Sequence, residues 1–179
     1  DAVNSALQTA FEMAQQQNTP QVNENHLLKA LLADSDGYFV TLCEAAGIDA
    51  GSLLQAAEKT LETLPVYSTP SQPPQIAAAL AQIIAQSEKR AKDFQDSYLS
   101  SDHLFIAFWQ SGSEPFAAWA KGTKKNTKEI LEIIKKIRGT KHMDSPSAEN
   151  TLKALEKYCR NLTQLAKKGK LDPVIGRDA

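Results

Sequence analysis

Apolar residues recur every three or four positions along most of the chain, which is the spacing of amphipathic helices. The run from Leu27 to Leu32 is apolar almost all round, so the helix that contains it is expected to be buried between others. Asn23, just before this run, is a residue type favoured at helix N-termini, and Gly47 is a type favoured where helices end. The pattern predicts helices over about 2–17, from Asn23 through Leu32, over about 38–46 and over about 50–63.

The same pattern occurs a second time, 77 residues later. Residues 23–32 align with residues 100–109, and small gaps further on match Leu54 with Ile130. No segment shows the alternation that is typical of strands, so the predicted fold class is all-α. We expect two four-helix repeats, related by a pseudo-twofold axis, in one globular domain. The helices of the second copy are predicted over about 75–93, from Ser100, over about 115–121 up to Gly122, and over about 126–138.

The chain is expected to divide into a folded domain and a tether. Residues 1–139 are assigned to the domain, with the first repeat over about 1–64 and the second over about 75–139. The stretch between the repeats contains four prolines, which predicts a surface loop. Residues 140–148 are polar and turn-rich, as linkers are, and residues 149–179 are expected to begin with a further helix.

Composition narrows the class of protein. The net charge is −1, with nine acids and two bases over residues 1–62 but eight bases and two acids over residues 121–141. Such an uneven surface is more typical of a solvated helix face than of a nucleic-acid site. No apolar run approaches the roughly 20 residues that span a bilayer. Neither a nucleic-acid nor a membrane partner is therefore predicted, and the two cysteines, Cys43 and Cys159, suit a reducing cytoplasm.

The two histidines that occupy equivalent positions, His26 and His103, each lie three residues after a predicted N-cap. From that position a side chain can accept a hydrogen bond from the backbone amide of the cap residue. No cluster of Cys, His or carboxylates accompanies either histidine at ligand spacing, so neither a metal site nor a catalytic site is predicted. The aromatic residues of the second copy are interpreted as core; they are Phe108, Trp109, Phe116 and Trp119.

The last residues carry the most specific motif. The string Leu-Asp-Pro-Val-Ile-Gly-Arg-Asp, residues 171–178, resembles the start of the first ATPase module of the Clp family of AAA+ unfoldases. The resemblance implies that Val174 and Ile175 lie near the adenine ring in the parent protein, which would bind ATP and Mg²⁺. The phosphate-binding lysine is expected beyond Ala179. This chain by itself is therefore expected to hold no cofactor and not to be an enzyme.

The duplicated segment in turn resembles the Clp N-terminal repeat domain. That domain has helix starts of the type (Thr/Ser)-x-(Glu/Asp)-His-Leu-Leu, matched here by residues 23–28 and 100–105. Within the family, residues 64–66, 92–100 and 155–163 are most similar to the disaggregase branch. The resemblance implies a homohexameric parent of the heat-stress response that cooperates with the DnaK system. Its N-terminal domain would bind exposed apolar segments of unfolded or aggregated proteins, and the present fragment is expected to be a monomer.

The resemblance also implies a substrate groove on the domain. Its members would fall at Ile84, Asp96 and Asp102. Two alternatives stay open at this point. The domain could bind an adaptor for a protease-coupled unfoldase, or it could be a passive spacer or assembly element whose residues 121–141 contact acidic surfaces.

Overall fold

The computed structural model describes residues 2–66, 73–139, 142–145 and 148–149. Over these ranges the chain forms eight helices and one pair of very short strands, which confirms the predicted all-α fold class. The first repeat contains α1 (Ala2–Gln17), β1 (Gln21–Val22), α2 (Glu24–Ala33), α3 (Tyr38–Ala45) and α4 (Ala50–Glu62). The second contains β2 (Gln75–Ile76), α5 (Ala78–Asp93), α6 (Ser101–Ser111), α7 (Phe116–Gly122) and α8 (Thr127–Arg138). The helix expected in residues 149–179 and the motif that contains Val174 and Ile175 lie outside the described residues.

The backbone of the duplication keeps one offset of 77 residues without gaps. Asn18 and Gln95, which follow the first helix of each repeat, have φ angles of 60° and 58°. The residues that precede the last helices also correspond, with left-handed φ angles of 90° at Gly47 and 59° at Lys124. The prediction that α7 ends at Gly122 is confirmed, but the left-handed residue after this helix is Lys124 and not the glycine.

The same offset corrects the predicted register of the fourth helices. The buried residue that corresponds to Ile130 of α8 is Leu53 of α4, and not Leu54. Ala57 corresponds in the same way to Ile134. The gaps in the predicted alignment arose because apolar residues were matched by type. Which residues are buried depends instead on their position around the helix.

The two repeats share one continuous core. Each central helix, α2 or α6, packs against helices of its own repeat, and α3 of the first repeat also contacts α6 of the second. The ring of Phe39 on α3 lies 5.5 Å from that of Phe105 and 6.0 Å from that of Phe108, centroid to centroid. Phe108 and Phe116 are buried, which confirms their interpretation as core, whereas Trp109 and Trp119 are half-buried and pack against it. Such edge-to-face contacts hold the repeats together as one body.

A parallel strand pair joins the two repeats and was not predicted. Gln21 pairs with Gln75 and Val22 with Ile76. The Ala77 amide donates to the Val22 carbonyl at 3.0 Å. Because residues 75–76 are extended, α5 begins at Ala78, and Ile76 lies outside the apolar stripe where it was expected, with 44% of its surface exposed.

Candidate functional site

The start of α6 carries the most elaborate polar structure of the described residues. The backbone amide of its N-cap, Ser100, donates to Nδ1 of His103 at 2.9 Å. The start of α2 has the same arrangement, with the Asn23 amide donating to Nδ1 of His26 at 2.9 Å. The predicted capping role of both histidines is therefore confirmed. Since Nδ1 accepts in each case, the ring proton resides on Nε2, and both rings are neutral in this arrangement.

The second nitrogen of each ring meets a different partner in the two repeats. In the first, Nε2 of His26 lies 3.1 Å from the side-chain oxygen of Gln17. In the second, Nε2 of His103 lies 2.7 Å from a carboxylate oxygen of Asp96. The capping histidine of α6 is thereby connected to an ion-pair network that the first repeat lacks at the equivalent position.

That network joins the loop before α6 to the end of α8. The Arg138 guanidinium donates to Asp96 at 2.7 Å and to Asp102 at 2.9 Å. The Tyr38 hydroxyl of the first repeat donates to the same oxygen of Asp102 at 3.0 Å. The side chains of Asp96 and Asp102 are fully buried and that of Arg138 is 5% exposed. We refer to Asp96, Asp102, His103 and Arg138 as the buried network.

The charges of the network are stabilised by its hydrogen bonds. Burial by itself would raise the pKa of Asp96, but hydrogen bonds from Arg138, from the Met143 amide and from His103 hold that pKa below its ordinary value. Burial would likewise lower the pKa of Arg138, and the two carboxylates raise it instead. Burial, followed by the charge of Asp102, raises the pKa of Tyr38 well above its ordinary value. At neutral pH, therefore, Asp96 is ionised, Arg138 is charged and the Tyr38 phenol is protonated.

Ser100, His103 and Asp96 resemble a Ser-His-Asp triad by composition, but their geometry does not suit nucleophilic catalysis. Ser100 Oγ lies 3.1 Å from Nδ1 of His103, yet that nitrogen already accepts the Ser100 amide proton. The hydroxyl itself donates to Asp102, and Ser100 is only 2% exposed. A nucleophile needs an available base and access to a substrate. Here the three groups build a helix cap.

A piece of chain after α8 lies directly on this region. The Met143 amide donates to Asp96 at 2.8 Å, and the Met143 carbonyl accepts from the amides of Ser97 and Tyr98, each at 3.0 Å. Further along, the Glu149 carboxylate accepts from the Ser101 amide at 2.9 Å and from the Ser101 hydroxyl. We refer to residues 142–145 and 148–149 as the post-α8 segment, and to residues 94–100 as the α5–α6 loop.

The structure places the three predicted groove residues in two different settings. Asp96 and Asp102 come together, but as buried partners of Arg138. Ile84 is half-buried on α5, where it packs on the edge of the core. It precedes the last residue of α5 by nine positions, roughly 14 Å along the helix axis.

Sequence reasoning missed Arg138, a charged residue at a position of α8 where the helical spacing predicts a buried apolar residue. Ile130 and Ile134 precede Arg138 at intervals of four, and all three are buried. A charged residue in a buried stripe indicates a buried partner of opposite charge. Nothing in the sequence near Met143 indicated its contact with Asp96, because that contact is made by the backbone amide.

Among the described residues, no group of three or more His, Cys, Asp or Glu side chains could hold a metal ion. Nor does any helix in those ranges combine the length and apolar character needed to cross a membrane.

Comparison with known proteins identifies the class of this fold. Residues 1–123 match the family described as the Clp repeat (R) N-terminal domain, and the chain belongs to that family. The chain is 45% identical over 178 residues to the chaperone protein ClpB of Chlamydia caviae, covering 99% of this chain and 21% of the relative. A ClpB of Mycobacterium tuberculosis is 33% identical over 174 residues, covering 97% of this chain and 20% of the relative. The chain thus spans about a fifth of the length of these relatives.

Solved structures confirm the architecture. The N-terminal domain of Hsp104 from Candida albicans superposes with a TM-score of 0.67 at 22% identity, covering 80% of this chain and 93% of that domain. A ClpV N-domain in complex with a VipB peptide superposes with a TM-score of 0.60 at 16% identity, covering 74% of this chain and 82% of that one. At these identities the similarity establishes the fold alone.

Proposed function

We propose that this domain binds exposed apolar segments of unfolded or aggregated proteins at the α5–α6 loop and the start of α6. The observation that carries the proposal is the chemistry of that loop. The amides of Ser97 and Tyr98 and a carboxylate oxygen of Asp96 bind the backbone of Met143, and the Tyr98 side chain is 40% exposed. These groups bind the backbone of an extended segment, which every polypeptide has, and an apolar ring adds affinity in proportion to the area buried.

The buried network serves this surface by holding it in place. Asp96 accepts hydrogen bonds from Arg138 and His103, and the oxygen bound to Arg138 also accepts from the Met143 amide, whose place a backbone amide of an incoming segment would take. The carboxylates of Asp96 and Asp102 are covered by protein, so they hold the α5–α6 loop in its conformation. They do not form an exposed acidic surface that would select basic clients. Ile84 would extend the apolar surface along α5. Binding of this kind is weak and tolerant of sequence, which suits capture followed by release.

The test is a titration of the ¹⁵N-labelled chain with a permanently unfolded protein, reduced and carboxymethylated lactalbumin. We expect amide shifts in residues 94–103 and at Ile84. Tyr98→Gln, which installs the residue of the equivalent first-repeat position 21, weakens binding, and so does Ile84→Ser. Leu7→Ser changes the equivalent half-buried residue of α1 and serves as the matched control. If the shifts are absent, or if they are confined to residues 121–139, the proposed site is wrong.

One observation favours a second candidate function. A ClpV N-domain of this fold has been solved with a VipB peptide, so a domain of this fold can bind a particular peptide. An adaptor-binding domain would leave unrelated unfolded proteins unbound and bind one folded protein or peptide tightly. The same titration, repeated with two unfolded proteins of unrelated sequence, distinguishes promiscuous capture from dedicated binding. A passive spacer would bind neither.

The wider role belongs to the same proposal. The relatives are chaperones of about five times this length, and the motif at residues 171–178 suits the start of an AAA+ ATPase module. We propose that residues 1–139 form the client-binding domain, that residues 140–148 link it, and that residues 149–179 lead into the ATPase, with Val174 and Ile175 near the nucleotide. The parent would be a cytoplasmic homohexamer that uses ATP and Mg²⁺ and cooperates with the DnaK system.

A further inference from the structure

The proposed client surface is already covered by part of this chain. The post-α8 segment contributes a backbone amide and carbonyl at Met143, a buried side chain at the same residue, and a carboxylate at Glu149. We infer that the post-α8 segment is a cis ligand of the α5–α6 loop and that a client binds by replacing it. The inference rests on the proposed function and adds to it the kind of segment that the surface fits.

The backbone contacts are those that an extended client would make. Met143 donates its amide to Asp96 and accepts with one carbonyl from the amides of Ser97 and Tyr98. None of these hydrogen bonds requires a methionine. The side chain supplies the apolar part of the interaction, because Met143 is 1% exposed and belongs to the core cluster. A large, flexible apolar side chain at this place is therefore the first requirement for a client.

The carboxylate of Glu149 supplies a second requirement. It accepts from the backbone amide and hydroxyl of Ser101, the first residue of α6, and it is buried. Free amides and the positive end of the helix dipole stabilise a carboxylate at that point. Glu149 follows Met143 by six positions in the sequence. We therefore expect preferred clients to carry an acidic residue about six positions after a large apolar one.

The geometry of the first repeat supports a site that is specific to the second. The equivalent of the α5–α6 loop in the first repeat, residues 17–23, is paired with β2 through the carbonyls of Pro20 and Val22. In the second repeat the amides of Ser97 and Tyr98 instead donate to the one carbonyl of Met143. The first repeat thus has a short parallel strand pair at this place, whereas the second has a single contact residue from the post-α8 segment.

Competition by a cis ligand lowers the apparent client affinity by the fraction of molecules in which the surface is open. Met143→Ser removes most of the buried apolar contact of the segment, which reduces its occupancy roughly tenfold or more. Client affinity should then rise by about threefold to tenfold, with the upper value reached when the surface is mostly covered in the parent chain. Glu149→Gln should act in the same direction with a smaller effect.

The experiment uses the full 179-residue chain and its Met143→Ser, Glu149→Gln and Asp144→Asn variants. Asp144→Asn removes the same charge as Glu149→Gln, but from an exposed position in the same segment. Amide hydrogen exchange at Ser97 and Tyr98 reports release of the segment, and the Asp96 amide, which is bonded within the domain to Ala91, reports an intact loop. Affinity for reduced, carboxymethylated lactalbumin, and for a synthetic peptide with the sequence of residues 140–151, reports competition.

We expect faster exchange at Ser97 and Tyr98, tighter client binding in Met143→Ser, and measurable binding of the peptide to that variant alone. Asp144→Asn should behave as the parent chain does. Unchanged client affinity in a variant whose Ser97 and Tyr98 amides have been released would overturn the inference and leave the proposed function standing. Unchanged exchange at those amides would also overturn it. Failure of any client to bind even when the surface is open would instead refute the proposed function.

Discussion

Arg138→Leu tests whether the buried network is a unit or a set of replaceable contacts. The substitution removes ion pairs of 2.7 Å to Asp96 and 2.9 Å to Asp102, and it leaves two fully buried carboxylates without their cation. Breaking a buried pair from one side costs about 3–5 kcal/mol, because the remaining charge stays desolvated. The guanidinium also lies 5.2 Å from the centre of the Phe94 ring, which adds about 0.5–1 kcal/mol. We expect a total loss of about 3.5–6 kcal/mol in the free energy of unfolding.

The first repeat shows which uncharged residues can occupy the positions of the buried network, and these residues provide the control variant. The residues equivalent to Phe94, Asp96, Asp102 and Arg138 at the offset of 77 are Gln17, Thr19, Asn25 and Leu61. These four residues pack in the first repeat without any ion pair: Gln17 donates to the Leu61 carbonyl at 2.6 Å, and Thr19 donates to that of Ala14 at 3.2 Å. Installing all four in the second repeat should recover stability to within about 1–2 kcal/mol of the parent chain, since uncharged replacement of a buried charge network is often close to neutral.

Urea denaturation at pH 7, with the m-value as a check on two-state behaviour, measures both variants. The penalty of Arg138→Leu should shrink at acid pH. Arg138 and the other hydrogen bonds keep the pKa of Asp96 depressed in the parent chain, so they contribute stability above the ordinary aspartate pKa that is lost as the pH falls through the folded value. A loss below about 1 kcal/mol for Arg138→Leu, or a fourfold variant no more stable than the single one, would refute the reasoning.

Two smaller predictions follow from the backbone and from His26. Gly47→Ala should cost about 1 kcal/mol because φ is +90° there, whereas Gly122→Ala, inside α7 with open space at the Cβ position, should be neutral or stabilise by up to about 1 kcal/mol; thermal denaturation compares the two. Burial, followed by the charge of Lys29, lowers the pKa of His26 to about 4 from 6.5, so an NMR titration should find that value. The contribution of His26 to the free energy of unfolding is complete above pH 6.5 and is lost as the pH falls towards 4. His26→Gln should make the free energy of unfolding depend less on pH in this range. An ordinary pKa for His26 would contradict the prediction.

Features that depend on neighbours in sequence were predictable. The starts of α2 and α6 follow from an N-cap residue and a histidine three positions later, because the cap amide and the ring nitrogen meet within one helical turn. The duplication was visible for the same reason, since each copy repeats the local pattern that builds a four-helix unit. The error in the register of α8 shows the limit of this approach. Ile133 and Ile137 are as apolar as Ile130 and Ile134, and only packing selects which pair is buried.

Features that depend on distant contacts were not predictable in the same way. Residues 21–22 and 75–76 pair only because the folded repeats bring them together, and a two-residue strand has no period to detect. Resemblance to the family placed Asp96 and Asp102 in one functional region, but nothing local to either residue indicated that Arg138 would bury both. Their burial depends on the end of α8 lying beside the start of α6, which is a property of the tertiary fold.

The asymmetry between the repeats bears on the inferred competition between the post-α8 segment and a client. Among the described residues, the second repeat alone connects the end of its last helix to the start of its central helix through charged groups. Met143, five residues beyond Arg138, is bonded to the same Asp96 that Arg138 holds. The amides of Ser97 and Tyr98 both donate to Met143, so they cannot bind the post-α8 segment and a client at the same time. The inferred competition therefore follows from where the second repeat places this segment, and the first repeat offers no equivalent because its loop is paired with β2.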